Sequence, residues 1–213
     1  MLFINGFSGE EDQDLLPIMD LFPHNTKIIP WNFPLAEDQR ENMLTAFVFG
    51  SAEYVETPYW FKLDADAYAE DFNTLITDDM KNYVICGHKW GYSWARHIKT
   101  LVDWSNKHEA FSALPNDVYD MSRVNGRRYS HARTASYAQF HNSAFVRYAA
   151  QLAGDRLPVP SHDTYLWYVA NRLDLPIKRH NFKRYRGMNN KTQLDSLKEK
   201  IIGVDKRWKL EQV

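Results

Sequence analysis

The chain has 213 residues, 44% hydrophobic and 25% charged, with a net charge of −1 at pH 7. That fits a soluble globular protein with enough core to fold unaided, and the near-zero charge gives no support to a general nucleic-acid binder. The single cysteine, Cys86, excludes an internal disulfide framework and a multi-cysteine zinc site. With no signal peptide and no bilayer-spanning apolar run in the sequence, the expectation is a cytoplasmic protein with no transmembrane segment and no nucleic-acid partner.

In chain order, Leu2–Asn5 reads as a short strand closed by Gly6 and Gly9, and Glu10–Leu21 as a helix ended by Pro23. Lys27–Trp31 is a second strand. Glu37–Tyr54 is the longest helix of this half, with Met43, Leu44, Phe47 and Val48 as its apolar stripe. An aromatic-rich strand then runs from Tyr59 into Asp64. Tyr83–Cys86 is another apolar strand, with Cys86 a packed residue rather than a nucleophile. Ser93–Lys107 reads as a helix in which Trp94 and Trp104 belong to the core. A loop-like stretch, 112–134, carries the basic cluster Arg123, Arg127, Arg128, His131 and Arg133. Ser136–His141 reads as a strand, Ser143–Ala153 as a helix, and Ser161 as the N-cap of a helix ending near Leu173. Ile177–Phe182 is a short strand, and 192–206 a charged amphipathic helix. Strand–helix alternation of this kind predicts an α/β fold with a mostly parallel mixed sheet flanked by helices, in one domain over 1–213.

Charge divides the chain. Residues 1–80 hold 16 Asp/Glu against 3 Lys/Arg, and residues 81–213 hold 11 against 23. The acidic half (1–80) contains the strongest motif, Asp64-Ala65-Asp66, and the basic half (81–190, before the terminal helix) can face a diphosphate or an anionic acceptor. Most of these charges read equally well as solvated surface. Strand side chains alternate faces, so two carboxylates one residue apart at a strand's end can aim at one point. Hard oxygen donors of this kind suit Mg²⁺ or Mn²⁺, which usually hold substrate phosphates.

The order strand, helix, strand, long helix, then Phe61-Lys62-Leu63-Asp64-Ala65-Asp66 resembles nucleotide-sugar glycosyltransferases of the GT-A fold, especially the large inverting family, family two. Arg40 and Asn42, near the start of the helix before the motif, match positions that the family often fills with Arg or Asn. Ser161-His162-Asp163-Thr164, leading through Tyr165-Leu166-Trp167 to Leu175-Pro176-Ile177-Lys178, is similar to its acidic helix entry and basic strand. The resemblance spans roughly residues 1–185, with one upstream strand–helix unit fewer than the family usually has. It implies a single-domain, Rossmann-like GT-A sandwich that binds a nucleoside-diphosphate sugar, Mn²⁺ or Mg²⁺, and a glycan or other hydroxyl acceptor. Asp64 would face the ribose or a metal-bound water, Asp66 would ligate the metal, and His180 would be a third ligand. Arg40 and Asn42 belong to the donor side in this reading, and Asp163 would be the catalytic base. A carboxylate at a helix N-terminus is held ionised by the helix dipole, as a base requires.

Arg128 and its basic neighbours can close over the diphosphate. Trp90 and Tyr92 can stack on a sugar face as an acceptor platform, and His162, beside Asp163, can contact phosphate or acceptor. The plainer readings are a first-turn helix acid for Asp163, a surface histidine for His180, a flanking residue for His162 and a solvated basic loop. Two other functions remain open: a non-catalytic glycan- or nucleotide-binding module of the same fold, and a phosphatase of the haloacid-dehalogenase type with Asp64 as nucleophile.

Overall fold

The computed structural model describes residues 2–4, 27–29, 39–63, 67–69, 76–119, 124–125, 128–180 and 185–187, with side chains over 47–62, 76–87, 95–119 and 139–178. Two strands open the chain, β1 (Leu2–Ile4) and β2 (Lys27–Ile29), paired in parallel. Helix α1 (Gln39–Tyr54) leads into β3 (Tyr59–Leu63), the strand expected before Asp64. The short strand β4 (Ala67–Ala69) follows, then β5 (Ile85–Trp94) and α2 (Ala95–Ser105). The strands β6 (Val124–Asn125) and β7 (Arg128–Asn142) form a hairpin. Two helices, α3 (Ser143–Ala153) and α4 (His162–Arg172), precede β8 (Ile177–His180) and β9 (Tyr185–Gly187). The expected helices over 10–21 and 192–206 lie outside the described residues.

The main sheet has the order β3-β7-β5-β8, with β6 paired to the start of β7. β7 is antiparallel to both β3 and β5, whereas β5 and β8 are parallel. The fold is therefore α/β, but its main sheet is not mostly parallel. Strand–helix alternation predicts parallel neighbours only when each strand joins the sheet beside its predecessor; here β7 inserts between β3 and β5 and runs the other way. The expected basic loop is also corrected. Residues 128–134 belong to a 15-residue strand, paired with β5 from Lys89↔Thr134 to Trp94↔Arg128. Arg128-Tyr129-Ser130-His131-Ala132-Arg133-Thr134 carries no apolar–polar alternation, so its extended form follows from pairing with β5 rather than from a legible period. The helix expected from Ser93 starts at Ala95 instead, and Trp94 is the last residue of β5.

Register lays Lys62, Gln139, Gly87 and Arg179 in one row across four strands, and Trp60, His141, Ile85 and Ile177 in the row two residues before it. The helices cover the face that carries Trp60, His141 and Ile85. The core there joins Val48 of α1, Ile98 and Leu101 of α2, Val146 and Ala149 of α3, and Leu166 and Val169 of α4. Trp104 packs on it as expected, its ring 5.6 Å from those of Phe111 and Tyr165. On the opposite face Cys86 is buried beside Met80, with Sγ 3.7 Å from the Met80 carbonyl oxygen.

Two short links set the direction of the helices against the strands. Residues 55–58 turn α1 into β3, and residues 173–176 turn α4 into β8. In the second link Asp174 takes φ 52°, the Leu175 N–H reaches the Ala170 carbonyl at 2.9 Å and the Asp174 N–H reaches Asn171 at 3.1 Å. That is a Schellman-type ending, which satisfies the last carbonyls and reverses the chain. Each strand then runs back along the helix before it, so each helix begins where its strand ends.

Candidate functional site at the carboxyl end of the sheet

Because β7 is antiparallel to both neighbours and β5 is parallel to β8, the strands β3, β5 and β8 all run toward one edge, where β3 and β8 end and β5 continues as an arm paired with β7. Ligands of open α/β sheets bind at such carboxyl ends. Asp64, Ala65 and Asp66 lie outside the described residues, but both flanks are placed: Leu63 ends β3 and Ala67 opens β4. His180 is the last residue of β8. Leu63 and His180 each stand one residue beyond the Lys62–Gln139–Gly87–Arg179 row, three strand spacings apart, or about 14 Å at ~4.8 Å each. They share an edge without being neighbours. The chain then closes part of that gap, since β4 pairs with β9, Ala67 opposite Gly187 and Ala69 opposite Tyr185. The segment after Asp66 is thereby hydrogen-bonded to the segment after His180.

Two helix starts reach the same edge. Arg40 and Asn42 lie in the first turn of α1, and Asp163 is the second residue of α4. A helix start carries unpaired N–H groups and the positive end of the dipole, so two of them favour an anion there.

The start of α4 is the part described in full. Ser161, His162, Asp163 and Thr164 are all buried, Asp163 to 6% exposure. Ser161 stands at the N-cap position, but its side chain caps no backbone N–H. Its hydroxyl lies 2.6 Å from Asp163 Oδ1 and 2.9 Å from Thr164 Oγ1. The His162 ring packs 4.5 Å from that of Phe47, which places this residue against α1. Phe47 also lies 5.3 Å from Trp60 and 5.8 Å from His141, and the Lys62 ammonium sits 5.1 Å from its centroid. Trp60 and His141 stack at 4.8 Å. Among the described residues His141 Nε2 is 3.2 Å from Gln139 Oε1, and Nδ1 has no hydrogen-bond partner. Burial first, then the nearby His162 and Lys62, hold the His141 imidazole well below its ordinary pKa.

Sequence reasoning missed this cluster of Phe47, Trp60, Lys62, Gln139 and His141. The signal was present in the alternation: Trp60 and Lys62 share one face of β3, and Gln139 and His141 share the facing side of β7.

The remaining sequence candidates spread along the strands. Trp90 and Tyr92 lie in the second half of β5, Trp90 opposite Arg133 and Tyr92 opposite Ala132. Arg128 opens β7 opposite Trp94, ten residues along the strand from Ala138, which pairs with Leu63. The structure thus places Arg128 at the tip of the β5–β7 arm, not beside the end of β3. No Asp or Glu occurs in 83–102 or 121–154, so both strands of that arm are acid-free.

A shallow groove of about 480 Å³ between α1 and α3 is lined by Phe49, Ala52, Glu53, Arg147, Ala150 and Gln151, with none of the expected site residues. No cluster of three His, Cys, Asp or Glu that could hold a metal occurs among the described residues, which do not include Asp64 and Asp66. No helix among them is long and apolar enough to cross a membrane. No protein-family model matches the chain, and no curated protein matches it.

Proposed function

We propose that this protein is a metal-dependent glycosyltransferase of GT-A type, moving a sugar from a nucleoside-diphosphate sugar to an acceptor hydroxyl. The observation that carries the reading is topological. The ends of β3 and β8 and the starts of α1 and α4 lie along one edge, which puts the flanks of Asp64-Ala65-Asp66 on the same side of the sheet as His180, Arg40, Asn42 and Asp163. Residues separated by more than a hundred positions share that edge.

The donor set, two carboxylates and an imidazole, fits Mn²⁺ or Mg²⁺, with Asp66 and His180 as ligands and Asp64 at the ribose or a metal-bound water. A bound cation would neutralise charge growing on the departing diphosphate. Arg40 and Asn42, at the positive end of α1, hold the donor phosphates. Asp163 accepts the proton of the acceptor hydroxyl as its oxygen bonds to the anomeric carbon. The bond from that carbon to the diphosphate oxygen breaks with its electron pair, so the configuration inverts. Trp90 and Tyr92 supply aromatic faces for the acceptor on the acid-free arm, which favours an acceptor without strong positive charge.

The test is donor turnover. Purified protein with Mn²⁺ is expected to hydrolyse or transfer from at least one member of a nucleoside-diphosphate-sugar panel, with Asp163→Asn reduced about 10²–10⁴-fold. Turnover of simple phosphomonoesters instead would assign the phosphatase. Metal-dependent binding without turnover would assign a binding module.

A further inference from the structure

We propose that Ser161 is a positioning residue for Asp163, its hydroxyl holding the carboxylate as an ionised acceptor in a fixed orientation. This rests on the reading of Asp163 as a base, but the geometry that carries it is local.

A serine before a helix ordinarily caps it by accepting from a backbone N–H. Ser161 makes no such bond. Its oxygen turns to Asp163 Oδ1 at 2.6 Å and to Thr164 Oγ1 at 2.9 Å. A hydroxyl has one proton, and an ionised carboxylate can only accept. Ser161 is placed as donor to both oxygens, and its single proton favours the closer, charged acceptor, Asp163 Oδ1. The 2.6 Å separation is that of a charge-assisted O–H···O⁻ bond.

The donor itself is held rigidly. The Ser161 N–H bonds to the Val159 carbonyl at 2.8 Å, and its own carbonyl accepts from Tyr165 N–H at 2.9 Å. Pro158 and Pro160 stiffen the approach, and Val159 is buried in the core. With Ser161 at 8% exposure, its bond to Asp163 is shielded from water, where such bonds are worth most. A base that must be ionised and aimed before the acceptor arrives needs such a partner.

The experiment is a carboxyl titration by carbon-13 NMR on the full chain, with the Asp163 signal identified by its loss in Asp163→Asn. Ser161→Ala is expected to raise the Asp163 midpoint by about one pH unit, because a donor to the charged form is lost. Ser161→Thr, which keeps the hydroxyl, is expected to titrate as wild type. Ser161→Gly, well tolerated at an N-cap, gives the same reading as alanine should that variant fold poorly. An unmoved midpoint in Ser161→Ala or Ser161→Gly overturns the proposal, as does a threonine variant that shifts as far as alanine. A purely structural role for Ser161 would alter melting and leave the midpoint in place. Loss of the base reading is recognised separately: Asp163→Asn would then transfer sugar at the wild-type rate, whatever the titration shows.

Discussion

Two side chains give the sharpest expectations at the residue scale. His141 is fully buried, stacked on Trp60, and faces Lys62 from β3, His162 from α4 and Phe47 from α1. Burial holds its pKa well below the ordinary 6.5, so the folded protein keeps this imidazole neutral where an unfolded chain would protonate it. The unfolded state then binds more protons. The stability gained by keeping His141 neutral is present above about pH 6.5 and is lost as pH falls below it. Urea midpoints are expected to drop between pH about 7.5 and about 5, with a smaller drop in His141→Gln. An equal drop in both would place the acid sensitivity elsewhere. Cys86 offers a second check, because burial pushes its thiol up to about 12. Roughly one molecule in ten thousand carries the thiolate at pH about 8. Cys86 should therefore resist thiol reagents until the protein unfolds, whereas rapid labelling of native protein would contradict this burial.

At the element scale, the helix endings and one hydroxyl relay set the stiffness of the scaffold. Asp174 pays for the chain reversal with a left-handed backbone at φ 52°. Asp174→Gly removes a strain of about 1 kcal/mol and is expected to raise the melting temperature. Gly154, after α3, has φ 68° and ψ −126°. No atom lies within 4 Å of an added Cβ there, so any loss in Gly154→Ala is conformational rather than steric. That loss is expected at roughly 1–3 kcal/mol, and a neutral result would contradict the backbone assignment. The Tyr168 hydroxyl of α4 joins Ser105 of α2 and Asp117 of the following loop, each at 2.7 Å. Tyr168→Phe breaks both and should cost about 1–3 kcal/mol in denaturant unfolding without altering the other helices.

The sequence made most of these elements legible, because α3 carries a clear apolar period, β3 is a compact aromatic run, and α1 and α4 are bounded by recognisable starts or stops. It did not show β7 as one long strand: the segment around Arg128, His131 and Arg133 carries no period of two, and only its pairing with β5 makes it a strand. Nor did it show the direction of β7, which depends on its partners β3 and β5 rather than on any residue within it. Ser161 was legible as an N-cap position, yet the use of its hydroxyl depends on where the Asp163 carboxylate turns.

For the whole molecule, the divided charge of the chain has a counterpart in the strand arrangement. β3, within the acidic first 80 residues, ends at the edge where the acid-free β5–β7 arm leaves the sheet. A cation held by the first would face an anionic diphosphate lying toward the second, an arrangement that Arg40, Asn42 and the two helix starts reinforce. The sequence contained the motif and most of the candidates; only the topology shows that β3, which leads into the motif, and β8 end on the same side of the sheet. The groove between α1 and α3 takes no part in this account, because none of these residues lines it. Thermal shift with a nucleoside-diphosphate panel, with Mn²⁺ and with chelator, on wild type and Asp66→Ala, tests the central claim most directly. The account predicts that one nucleotide raises the melting temperature only when Mn²⁺ is present, and that Asp66→Ala abolishes this rise while melting normally alone. Equal nucleotide stabilisation of the wild type with chelator present, or an undiminished Mn²⁺-dependent rise in Asp66→Ala, would contradict it.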